Sequence, residues 1–164
     1  MEDKLNILFQ HWNKKDSKAL VAKSYDVEDI NIEKLIVETT NYCRHSGRLM
    51  WVLLDFLIRN LDMIDIIELI NLTKKQGDMS VLGLVADMAR EKRNDIKFDQ
   101  IIAESQPNPT KEIFFYRVAK SKFASKITMQ ETLPIYAKWN YYCNELRYLM
   151  TDKELKANVL AISS

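Results

Sequence analysis

Three glycines and three prolines among 164 residues leave this chain few places to turn tightly. Two-residue β-hairpin loops need positive φ angles that glycine reaches most cheaply, and loops that cradle phosphate need glycine where the backbone approaches the ligand. A turn-rich all-β fold and glycine-loop chemistry are both weakened on that ground. Hydrophobic residues make up 47% and charged residues 29%, proportions of a globular chain and not of a disordered one.

What remains is helical patterning. Leu5, Leu8, Phe9 and Trp12 stand at i, i+3, i+4 and i+7, the spacing of one helix face. Asp16 is placed to cap a short helix over Lys18–Lys23, and Asn31 to open a longer one holding Leu35, Ile36, Thr39, Thr40 and Cys43, which Ser46-Gly47 ends. From Arg48 to Asn60 and again to about Lys75 the apolar residues cover almost every face, with Asp62 and Asp65 as caps between the two runs. Residues 48–75 therefore predict a buried central helical hairpin. Gly77-Asp78 reads as a stop and a start, and in the helix that follows Gly83 and Ala86 invite a close neighbour. Asp99 is expected to cap a helix ending near Ser105, Thr110 another, and Pro134 to begin one reaching Met150, with a capping box at Thr151–Glu154 for the last.

The expected fold is all-α, eight or nine helices in a single domain spanning 1–164, with residues 106–110 (Gln-Pro-Asn-Pro-Thr) as an internal linker before a helical extension over 111–164. A faint repeat at an offset of 32 superposes Val52–Leu57 on Leu84–Ala89, with Asp55 on Asp87 and Arg59 or Arg90 one turn beyond each. This suggests solenoid-like stacking of helix pairs.

The chemistry-bearing residues are few. Cys43 and Cys143 have no CxxC partner, and Cys43 and His45 at i, i+2 point apart on a helix. HExxH, GxSxG, GxGxxG and P-loop patterns are missing, and after Gly77 and Gly83 a leucine stands where a P-loop needs lysine. The acidic run Asp62, Asp65 and Glu68 reads as capping plus a solvated stripe. No cofactor and no metal site is expected. The apolar run from Leu49 stops at Asp55, resumes only to Ile58 and is too short to cross a bilayer. With a polar acidic start, this makes a cytoplasmic protein with reduced thiols the expectation.

Asp55 is the most conspicuous single residue. A carboxylate inside Leu49–Ile58 is costly to bury alone, and Arg59 at i+4 is the natural partner. The sharper alternative is a polar group lining a pocket, which would make room for an enzyme without a recognisable motif.

Two stretches invite a nucleic-acid reading. Ala22, Val27, Ile32 and Leu35 fall at helix-turn-helix core spacings, but the turn position is Asp26 and the would-be recognition helix carries Glu28, Asp29 and Glu33. The second stretch lies where charge is biased, since residues 111–164 carry nine Lys and Arg against five Asp and Glu. Read as helices, it offers Lys111, Arg117, Lys120, Lys122 and Lys126 interleaved with Phe114, Phe115, Tyr116 and Phe123, then Tyr136 and Trp139 with Tyr141, Tyr142 and Tyr148. A helical wheel splits these cations between two sides. The preferred expectation is a non-catalytic protein-interaction module holding a partner protein through a groove or through the aromatic-basic surface of Lys111, Arg117, Lys120, Lys122, Lys126, Tyr136 and Trp139, with room for a homo-oligomer. A nucleic-acid-associated regulator using 111–148 is the alternative, and a membrane is not an expected partner.

Overall fold

A computed structural model describes residues 1–15 and 28–145. The expected helix over Lys18–Lys23, Ala22 and Val27 of the helix-turn-helix spacing, Tyr148, and the capping box at Thr151–Glu154 lie outside the described residues.

The fold is all-α. Its helices are α1 (Glu2–Lys15), α2 (Ile32–Thr40), α3 (Gly47–Asn60), α4 (Ile66–Gln76), α5 (Met79–Lys92), α6 (Ile96–Glu104), α7 (Tyr116–Ala119), α8 (Lys122–Gln130) and α9 (Pro134–Lys138). Short 3-10 turns at Cys43–His45 and Leu61–Met63 precede and follow α3. The helix starts are written in the sequence. Asn31, Ser46, Asp65, Asp78, Asp95 and Ser121 each turn a side-chain oxygen onto a free first-turn N–H, a contact typically contributing about 1 kcal/mol. Asp95 thus takes the role expected of Asp99, which lies inside α6 and binds Arg90 instead.

The two runs over 48–75 are present as α3 and α4, but each finds its main neighbour elsewhere: α3 packs chiefly on α5, and α4 on α2. Of these two, α3 alone is buried almost all round. α4 buries Ile66, Leu69, Ile70 and Thr73 and turns Ile67 to solvent. The core runs from Leu8, Phe9 and Trp12 through α2, α3 and α5 to Phe98 and Ile101. Trp12 is fixed in it by an indole hydrogen bond to Thr39 Oγ1 at 2.9 Å and an edge-on contact with Phe56. Gly77 and Gly83 serve space and not handedness. Neither has a positive φ. A Cβ on Gly77 would lie 2.9–3.0 Å from Thr40, Thr73 and Val37, and one on Gly83 would fall 2.5 Å from the Trp139 ring.

Beyond α6 the chain departs from the expected long helices. Thr110 caps nothing, and Glu112–Ile113 forms a two-residue strand, β1, paired in parallel with β2 (Tyr141–Tyr142). Phe114 and Phe115 are consecutive and both fully buried, which suits an extended chain enclosed on two sides and not one face of a helix. Helix α9 stops at Lys138. Asn140 then takes the left-handed conformation (φ 65°) that asparagine tolerates, and the chain turns into β2. The linker is pinned at this turn: Asn108 N–H donates to the Trp139 carbonyl, and the Asn140 amide donates to the Asn108 carbonyl.

Candidate functional site

Asp55 is buried and takes both Nε and Nη2 of Arg59 on its Oδ2, at 2.9 and 2.7 Å. This is the local ion pair that the i+4 spacing implies. Cys43 is fully buried while His45 is exposed, so the two do not face a common site. Burial pushes the Cys43 thiol far above its ordinary range and that of Cys143 to about 11, which keeps both as inert thiols.

Asp87, the repeat partner of Asp55, does something different. Its Oδ1 accepts from Arg90 at 2.8 Å, and its Oδ2 accepts the Trp139 indole N–H at 2.9 Å and Lys138 Nζ at 2.8 Å. Burial raises its carboxyl, but the hydrogen bonds from Lys138 and Trp139 and the charges of Lys138 and Arg90 outweigh that and hold it below its usual value. Gly83, one turn earlier on α5, leaves the space in which the indole rests.

Tyr136 and Trp139 are therefore corrected as surface residues. Tyr136 is fully buried and Trp139 is 3% exposed, so neither ring is open to a ligand. Tyr136 packs on Phe114, which meets Tyr141 and Phe115 edge-on. Of the aromatic set that suggested stacking platforms, Phe114, Phe115, Tyr136, Trp139 and Tyr141 form the core of the C-terminal segment.

A residue that sequence reasoning passed over ties this segment to the rest. Arg44 is 8% exposed. Its guanidinium donates to the Phe114 and Ile113 carbonyls at 2.9 and 2.7 Å and to Glu112 Oε1 at 2.8 Å. It also lies over the rings of Tyr116, at 4.3 Å, and Tyr141, at 5.0 Å. Tyr141 OH shares a 2.5 Å hydrogen bond with Ser80 Oγ, and burial, partly opposed by that bond, pushes its hydroxyl up to about 12. Beside this anchor His45 stacks on Tyr116 at 4.5 Å. Desolvation and then the charges of Arg44, the terminal amino group and Lys120 lower its pKa.

The cations divide into two groups. Lys111 covers the Tyr142 ring at 4.8 Å, while Arg117 lies over Phe115 and pairs with Glu145. Lys120, Lys122 and Lys126 are exposed, and among the described residues no ion pair engages them. They surround α8, a nine-residue helix whose one buried residue is Thr128 and which, among the described residues, packs chiefly on α7 and β1. Phe123 stands on it 76% exposed, and Met129 46%. Phe123 is the sharpest surface feature of the segment. The sequence names Phe123 among the interleaved aromatics, but nothing in it sets this exposed ring apart from the buried Phe114 and Phe115.

Among the described residues no cluster of three or more His, Cys, Asp or Glu side chains could hold a metal ion, and no helix is long and apolar enough to cross a membrane. None of the protein-family models, curated proteins or solved structures compared with the chain matches it.

Proposed function

We propose that this protein is a non-catalytic helical interaction module and that α8 with Lys120 is the surface that holds a partner protein. The observation that carries the reading is Phe123, a large aromatic ring 76% exposed between two lysines with no acidic partner among the described residues. Isolated exposed apolar side chains are ordinary on a protein surface. An exposed aromatic flanked by unpaired cations, on a helix with a single buried residue, combines an apolar anchor with a charged rim, the make-up of an interface.

Protein is favoured over nucleic acid as the partner because stacking needs several open ring faces. Tyr136, Trp139, Tyr141, Phe114 and Phe115 are all buried, and Tyr116, 39% exposed, is engaged by His45 and Arg44, which leaves Phe123 as the open ring of this stretch among the described residues. Acidic groups on a partner would meet Lys122 and Lys126 while an apolar pocket takes the ring.

The reading is tested by affinity capture from source cells with the wild-type chain, Phe123→Ala, and Lys122→Glu combined with Lys126→Glu, each with and without nuclease. Support is a defined set of proteins retained by the wild type through nuclease treatment and lost from both variants. Capture that disappears with nuclease, or that is indifferent to both variants, contradicts it.

A further inference from the structure

A second face of the molecule mirrors α8 with the opposite charge. On α4, Ile67 is 72% exposed and is flanked by Asp65 and Glu68, neither of which enters an ion pair among the described residues. On α8, Phe123 is flanked by Lys122 and Lys126, likewise without acidic partners. Ile67 lines an open groove with Asp65, Glu68, Asn71, Leu72 and Lys75, in which Lys75 is the one cation and stands two turns beyond Glu68.

The apolar character continues past Ile67. Met63 is 68% exposed and Ile96 70%. They are the chain neighbours of Asp62 and Lys97, which bridge α6 to the turn before α4 at 3.4 Å. The Asp62–Lys97 pair thus brings the chain at Met63 and at Ile96 near one another where α6 meets the turn before α4. The α4 face is apolar with an acidic rim, and the α8 face is apolar with a basic rim.

Building on the reading of α8 as a docking surface, we propose that its partner is a second copy of this chain, whose α4 groove receives Phe123 while Asp65 and Glu68 face Lys122 and Lys126. The two faces are different surfaces of one molecule, so the contact is heterologous. An open assembly keeps a free α4 face on one terminal copy and a free α8 face on the other, and association continues until a ring closes. Exposed ion pairs at the rim also make it weaken with added salt.

This geometry has a signature that a symmetric dimer lacks. A chain defective in one face and a chain defective in the other cannot associate alone, yet one intact contact forms between them. The experiment is sedimentation velocity of the full chain over a concentration range at low and high salt, with Phe123→Glu, Ile67→Lys, Lys126→Glu and Glu68→Lys. The expected wild-type mass climbs above the 19.3 kDa of one chain as concentration rises and falls back with salt. Phe123→Glu and Ile67→Lys each sediment as single chains, and their equimolar mixture forms a two-chain species and nothing larger. If Phe123→Glu loses its helical circular dichroism, the conservative surface pair decides: Lys126→Glu and Glu68→Lys each weaken association, and the chain carrying both regains it.

A wild-type chain that remains at 19.3 kDa at every concentration overturns the proposal, as does Ile67→Lys assembling like wild type or a mixture that stays monomeric. Loss of assembly with capture of another protein still dependent on Phe123 leaves the α8 reading standing without the second copy. Indifference of both to Phe123 removes the two together.

Discussion

The Trp139 indole N–H donates to Asp87 Oδ2 at 2.9 Å, across 52 positions of sequence, with the ring seated over Gly83 on the same helix. This contact, with Lys138 on the same carboxylate oxygen, docks the segment after the linker onto α5. Arg44 does the equivalent from the other side through β1. Between them they fix α7 and α8 on the helical core, so that Phe123 is carried by an ordered base.

Substitution Gly83→Ala is therefore expected to destabilise the fold by about 1–3 kcal/mol, the usual cost of overpacking a filled site. The added Cβ would stand 2.5 Å from the indole carbons, too close for either group to remain in place. Denaturant midpoints measure this. Adding Trp139→Ala to Gly83→Ala should cost less than adding it to wild type, because the two changes act on one contact. Full additivity would show that the ring does not rest there.

Asp87 also predicts an acid dependence. Its folded carboxyl lies below its unfolded value, so the stability it contributes is complete above the ordinary aspartate range, near 4, and is lost as pH falls through the folded value. Denaturation measured from pH 7 down to 3 should show Asp87→Asn less stable than wild type at pH 7. The gap should narrow below about pH 4. A gap that is constant with pH would mean that the charge of Asp87 contributes nothing.

Much of this arrangement can be followed in the sequence where it is local. Asn31, Asp65 and Asp78 cap their helices within three residues, and Asp55 finds Arg59 one turn on. Where a side chain acts over distance the sequence is mute. Asp87 shows its Arg90 but not its Trp139, and Arg44 reaches Glu112 across 68 positions. The same gap caused the misplacement of Tyr136 and Trp139, since aromatic residues on a basic stretch look alike whether they face solvent or the core. The break between β1 and α8 was legible only in part. Phe114 and Phe115 in succession suit chain enclosed on two sides beside β1, but Lys and Arg at near-helical intervals obscure them.

Arg44→Lys is expected to destabilise the chain by about 1–3 kcal/mol although the charge is kept. An ammonium cannot reproduce three directed N–H bonds, and it leaves a carbonyl of Ile113 or Phe114 unpaired. Amide hydrogen exchange should show the loss at Phe114, whose N–H bonds Tyr142, before it reaches α3. Uniform protection across the chain, unchanged from wild type, would show that Arg44 is not an anchor.

The most direct test of the interaction surface is a photoreactive amino acid at position 123, irradiated in source cells, with adducts resolved as protein or nucleic acid. The account predicts discrete protein adducts that vanish when Lys122 and Lys126 are both changed to Glu. Adducts made mainly to nucleic acid, or protein adducts that persist after both charges are reversed, would contradict it.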